Sequence, residues 1–207
     1  MSSYKSNQST LSSSSSSITL SYTQLTEKEI KIISSLCKII NETFDKNLKK
    51  IKHFPFSKKI KKDKFFSLDI PTISIYDYIY RIIIFTQINI STLIISYVQL
   101  NNYLKKTNNY LCINNFYNLF ITSCLINAKY YEDNYCPLSF FAKVGGISIE
   151  ELKLFEFEFC NKLNFSFYMN EDLYIKYYNL LLSIKCSGNV LDSEINNNNN
   201  CKTNVLK

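Results

Sequence analysis

Residues Phe141 to Glu151 read FAKVGGISIEE, and they hold two of the chain's three glycines side by side. A phosphate-cradling loop requires G-x-x-x-x-G-K-[ST] after a strand, and a dinucleotide fingerprint requires G-x-G-x-x-G. Neither spacing occurs here, and a helical pattern precedes the pair. Glycine just past a helix reaches positive φ at little cost and closes the orphan carbonyls of the last turn. Two residues on, Ser148-x-x-Glu151 is a capping box that opens the next helix. Gly145, Gly146 and Ser148 therefore read as a helix–helix junction.

From that junction the pattern extends both ways. Ile149 to Leu163 reads as a helix with Leu152, Phe155, Phe159 and Leu163 on one apolar stripe. Upstream, a short segment starts at Pro137 and ends at the glycines. Before it, Asn115 to Tyr131 is apolar or small around most of its circumference, with Thr122 and Lys129 marking a narrow polar stripe. A helix apolar nearly all round is a central one, and Ser123, Cys124 and Ala128 permit a neighbour to come close.

Further upstream, Asn89 or Ser91 starts a helix in which Leu93, Tyr97, Leu100 and Leu104 repeat at helical spacing. Ser74-x-x-Asp77 opens another that reaches Phe85, a weaker box because aspartate replaces glutamate. Thr26-x-x-Glu29 opens a helix toward Lys50, Pro55 and Pro71 are breakers, and Asn170 to Lys185 forms a last helix. There is no βαβ alternation and no internal repeat. The expected fold is all-α, a compact bundle with one central helix.

The 207 residues, 46% hydrophobic, suffice for one core with tails. Net charge is +7, but Lys46 to Lys64 alone holds nine lysines and one aspartate, so the remainder is near neutral. That segment reads as a solvated linker, a nuclear-import signal or a nucleic-acid contact. Arg81 is the one arginine, so no arginine cluster exists for base or phosphate recognition. The seven cysteines show no C-x-x-C pair and no apolar signal segment leads the chain, so reduced thiols in the nucleus or cytoplasm are expected. With His53 as the lone histidine, neither a metal site nor a catalytic residue is expected, and no cofactor is implied. The apolar run from Ile73 to Leu100 is interrupted by Asp77, Arg81, Gln87 and Asn89. It reads as two buried helices rather than a membrane span.

One residue does not fit a purely structural role. Glu156 falls about 40° from Leu152 on the helical wheel, beside the apolar stripe rather than opposite it. A carboxylate there requires a cation, and Lys129 stands similarly isolated on the central helix. Spacing alone leaves two readings: an internal Lys129–Glu156 salt bridge, or a pair that faces a partner.

The stretches PTISIYDYIYRI and NAKYYEDNYCPLSFFAKVGGISIEELKLFEFEF resemble the P-type and U-type cyclins from about Pro71 to Phe167. The motif A-K-x-x-x-D followed by F-A-K-V-G-G-I-S carries the likeness. The resemblance implies a single five-helix cyclin box with its third helix in the centre. It also implies a non-enzymatic subunit that binds and activates a cyclin-dependent protein kinase. Lys129 and Glu156 match cyclin positions that contact the kinase, and Asp133 matches an acidic position suited to activation-segment arginines. The expected division is a disordered Ser-rich tail 1–24, an N-terminal helix 25–50 and a basic linker 51–70. The box 71–167, a C-terminal helix 168–186 and a disordered Asn-rich tail 187–207 follow. The residues after Leu163 are too few for a second box. Many cyclins carry an Asp-Arg pair where this chain has Asn101-Asn102, so orientation of the first box helix is left to packing or to Arg81. An import receptor for Lys46–Lys64 is a further expected partner. The alternatives are a box that contacts DNA or polymerase, which the near-neutral domain argues against, and a box that binds a partner without activating it.

Overall fold

The computed structural model describes residues 25–52 and 63–185. The tails assigned to 1–24 and 187–207, and residues 53–62 of the basic segment, lie outside the described residues. Seven helices and no strand occur among the described residues. They are α1 (Glu27–Lys52), α2 (Ile75–Thr86), α3 (Ile90–Thr107), α4 (Ile113–Tyr131), α5 (Leu138–Gly145), α6 (Ile149–Leu163) and α7 (Glu171–Ser183). The apolar run from Ile73 to Leu100 is split between α2 and α3. No helix among the described residues is long and apolar enough to cross a membrane.

Local chemistry sets the helix starts. Thr26 and Glu29 form a reciprocal box, the Thr26 N–H donating to the Glu29 carboxylate at 2.8 Å and the Glu29 N–H to the Thr26 hydroxyl at 3.3 Å. At α2 the box is half made. Ser74 Oγ accepts the Asp77 N–H at 3.0 Å, but the shorter Asp77 side chain bonds the Ser74 hydroxyl at 2.7 Å instead of its backbone. Asn170 caps α7 by accepting the Asp172 N–H at 2.8 Å.

α4 is the centre. Its residues from Asn115 to Ala128 are buried apart from Asn118, and α3, α5 and α6 pack directly on it. α2 reaches it through Tyr78, whose ring lies 4.8 Å from that of Tyr117 and whose hydroxyl donates to the Tyr117 carbonyl. Small residues bring α3 and α4 close, as expected at Ser123: its hydroxyl donates to the Ser96 carbonyl at 2.7 Å, and the Ser96 hydroxyl reaches back to Ser123. Thr122, expected on a polar stripe, is fully buried. Its hydroxyl donates to the Asn118 carbonyl one turn back at 2.7 Å, and a side chain satisfied within its own helix needs no water.

The stretch assigned to the linker 51–70 also needs correction. Its end, from Asp63, is docked rather than free. Phe65 is completely buried among Tyr103, Phe155 and Phe159, with ring centroids 5.2, 4.9 and 6.3 Å away. Asn118 and Asn114 hold the backbone there, the first donating to the Phe65 carbonyl and the second to that of Ser67. Burying such a ring stabilises by about 1.5–3 kcal/mol, enough to convert part of a lysine-rich linker into core. At its other end the basic segment is helical, because α1 continues to Lys52.

The flanking helices close the bundle. α1 packs on α2 and α7, and α7 packs on α3, with Ile32, Ile33, Leu36 and Ile40 of α1 buried. Asn101 and Asn102 bond within α3, donating to the Tyr97 carbonyl and to the Gln99 side chain. α2 is instead tied by its packing and by Arg81, which donates to the Lys143 carbonyl at 3.3 Å.

Candidate functional site

The packing of α6 fixes where Glu156 points. Leu152, Phe155, Phe159 and Leu163 are buried, so the rotation of the helix leaves Glu156 at the margin of that stripe. Lys129 stands in the last turn of α4, where a cation complements the helix dipole. The two meet: Lys129 Nζ donates to Glu156 Oε1 at 2.5 Å, with side chains 32% and 22% exposed. A partly exposed pair of this kind contributes about 0–1 kcal/mol. Its main effect is to hold two charged side chains in one place at the surface.

The α5–α6 junction sets the height and direction of α6. Gly145 is the last residue of α5, and a Cβ on it would stand 2.9 Å from Ile121 Cγ1 of the central helix. Gly146 is the C-cap at φ 72. After it the Ile147 N–H returns to the Ala142 carbonyl at 3.1 Å. Ser148 and Glu151 then form both bonds of the capping box. The Ser148 hydroxyl, donating to the Glu151 carboxylate at 2.7 Å, and then the Ser148 N–H hold that carboxyl below the ordinary carboxylate range. The two glycines serve different needs, close approach at Gly145 and positive φ at Gly146.

Asp133 lies outside the ion pair. It is exposed in the loop after α4, and among the described residues no hydrogen bond or salt bridge joins it to Lys129 or Glu156. Its neighbour Glu132 is engaged, accepting from the Asn89 N–H at 2.9 Å, from Asn89 Nδ2 at 2.5 Å and from the Thr92 hydroxyl at 2.5 Å. Asn89 is thus the N-cap residue of α3, as expected, but its helix end is met by Glu132 rather than by its own side chain.

Sequence reasoning missed the exposed aromatic side chains at the end of α4 and in the loop after α6. Tyr130, adjacent to Lys129, is 52% exposed, and Phe165 and Tyr168 are 65% and 73% exposed. Tyr131 fixes the loop that carries the latter two. Its hydroxyl donates to the Phe167 carbonyl at 2.8 Å and accepts the Met169 N–H at 2.9 Å, while the Tyr130 and Phe167 rings lie 6.1 Å apart. Simple alternation would bury Phe165 together with Phe167 and Met169. Instead Asn164 and Phe165 both adopt positive φ, 52 and 54, and the turn sends Phe165 to the surface. Only the backbone reveals it. A bulky residue held left-handed carries strain, and its N–H closes the end of α6 on the Cys160 carbonyl at 3.0 Å.

Among the described residues no cluster of histidine, cysteine or carboxylate groups is placed to hold a metal ion, and His53 lies outside them. Cys160, on α6 near the pair, is held neutral. Burial and then the Glu156 carboxylate push its thiol up to about 11, against the opposing pull of Lys129. Such a thiol is a poor nucleophile.

A family model described as Cyclin matches residues 2–167. Curated relatives agree. The chain is 37% identical to Cyclin-U4-3 of Arabidopsis thaliana over 111 residues, covering 53% of this chain and 50% of that protein. It is 32% identical to Cyclin-U4-2 of the same plant over 149 residues, 72% of this chain and 67% of the relative. It is 30% identical to Cyclin-P3-1 of Oryza sativa subsp. japonica over 95 residues, 46% of this chain and 40% of the relative. The match thus spans half the length of Cyclin-U4-3.

Proposed function

The chain belongs to the cyclin family, as a U/P-type member, and on that premise we propose that it binds and activates a cyclin-dependent protein kinase. Lys129 and Glu156 form the polar centre of the contact. Tyr130, Phe165 and Tyr168 supply apolar area around it, and Asp133 offers a carboxylate to cationic side chains of the kinase. Exposed tyrosine and phenylalanine side chains are of the type enriched at protein interfaces.

Activation of this kind is positional. The bound subunit presses the kinase's regulatory helix inward, which completes the lysine–glutamate ion pair of the kinase and orders its activation segment. The observation that carries the reading is the partly exposed Lys129–Glu156 ion pair that joins the last turn of α4 to α6.

The test is affinity purification from the source cell, followed by a kinase assay on the recovered kinase with and without this chain. The expected result is a cyclin-dependent kinase whose activity depends on the chain and which Glu156→Lys no longer recovers. Recovery of the kinase without stimulation would leave a non-activating binding module. Failure of the wild-type chain to recover any such kinase would remove the proposal.

A further inference from the structure

The loop that follows the central helix is tethered at both ends. At its start Glu132 accepts three hydrogen bonds from the α2–α3 turn and the first turn of α3, two from Asn89 and one from Thr92. At its far end the Cys136 thiol donates to the Thr86 carbonyl at 3.6 Å. Burial pushes the Cys136 thiol above its ordinary value, which keeps the donor protonated. Between the tethers Asp133, Asn134 and Tyr135 are exposed.

The partners of Glu132 lie 43 and 40 residues earlier in the chain, so the contact joins separate elements. It places a carboxylate at the N-terminus of α3, where the unpaired N–H groups and the dipole both favour an anion. A short loop held at two points loses little conformational freedom when a partner takes hold of its tip.

We propose that Glu132 is a positioning residue that presents Asp133 to the cationic side chains of a bound kinase. This rests on the kinase-binding reading above. Glu132 itself is occupied internally and makes no contact with the partner. It acts by fixing the loop, so its effect on binding passes through Asp133.

The test is a double-mutant cycle, using the kinase recovered with the wild-type chain and then produced recombinantly. Calorimetric titrations compare the wild type, Asp133→Asn, Glu132→Ala and the double variant. Each single substitution is expected to weaken binding about ten-fold, and the double no more than the stronger single, because residues acting as one unit are non-additive. Glu132→Gln, whose amide oxygen still accepts the Asn89 N–H, should recover most of the affinity. In Glu132→Ala, amide exchange at 133–135 should speed up. If that variant does not fold, Thr92→Val removes one of the three bonds and should weaken binding by about two- to three-fold.

Additive losses in the cycle, or full affinity in Glu132→Ala despite faster exchange, overturn the proposal. If Asp133→Asn and Glu132→Ala both bind normally while Glu156→Lys does not, this inference fails and the kinase-binding reading stands. If Glu156→Lys also binds normally, the kinase contact lies elsewhere on the chain and the inference falls with that site.

Discussion

Phe65 stacks on Phe155, with ring centroids 4.9 Å apart and planes 28° from parallel, and Phe155 directly precedes Glu156 on α6. The chain segment ahead of the five-helix bundle is therefore part of what holds α6 in rotation. Lys64 reinforces it from the surface by pairing with Glu158 at 2.7 Å. The basic segment thus ends on the helix that carries the candidate contact residue.

Phe65→Ala should be among the most damaging single substitutions in the chain. The ring is fully buried, and its loss leaves a cavity costing about 3–5 kcal/mol. Phe65→Leu should cost clearly less, and Lys64→Ala less than about 1 kcal/mol because Lys64 is 60% exposed and Glu158 keeps Lys162 as a partner. Thermal and denaturant unfolding of the three variants checks the order. A small loss for Phe65→Ala would mean that the segment is not part of the core.

The glycine pair should separate into two mechanisms. Gly145→Val drives a side chain into Ile121, which a Cβ alone would meet at 2.9 Å, and overpacking of this kind costs about 1–3 kcal/mol. Gly146 has nothing within 4 Å of a Cβ but sits at φ +72, so Gly146→Ala should cost about 1–2 kcal/mol through the backbone alone. Gly146→Asn should cost less. Ile121→Ala should soften the effect of Gly145→Ala and leave that of Gly146→Ala unchanged. Melting temperatures of the single and paired variants decide it.

A charge swap distinguishes the two roles of the ion pair. Lys129→Glu with Glu156→Lys rebuilds a salt bridge of reversed polarity, and stability should stay within about 1 kcal/mol of the wild type, the range for exposed pairs. Kinase binding, read by pull-down or calorimetry, should remain lost because the partner meets inverted charges. Restored binding in the swapped protein would reduce the pair to an internal brace.

Stability should fall under alkaline conditions, and Cys124 should account for part of the fall. Burial pushes its thiol from an ordinary 9.0 up to about 12, with a hydrogen bond involving Ser96 opposing. The fold favours the neutral thiol, so this contribution is intact below about pH 9 and is lost as pH rises toward about 12, because the unfolded chain ionises first. The slope is about 1.4 kcal/mol per pH unit in that window. The stability difference between the wild type and Cys124→Ala should therefore shrink by about that amount from pH ~10 to ~11. Burial raises Tyr78 in the same direction, so the variant should keep some alkaline loss. Denaturant unfolding across the window measures both.

Much of the molecule is legible from short-range signals. The Ser148–Glu151 box, the Gly146 cap and the Leu152–Phe155–Phe159–Leu163 stripe each act within a few residues, and helix periodicity is local by nature. The same stripe made Glu156 conspicuous and brought Lys129 into view as its counterpart. Thr122 misled because a polar side chain was read as an exposed one, whereas its bond to Asn118 closes within one turn. Phe65 misled because its lysine neighbours dominate the local composition. The partners that bury it come from α3 and α6, far along the chain.

The sequence by itself determined the helices, their caps, the burial of α4 on all sides and the side of α6 on which Glu156 lies, since each follows from neighbours three or four residues apart. Only the tertiary structure decided that Phe65 belongs to the core, that Phe165 and Tyr168 face outward, and that Glu132 closes the start of α3 from 43 residues away. Those outcomes depend on which distant surfaces meet. Packing selects among contacts that local pattern leaves equally open.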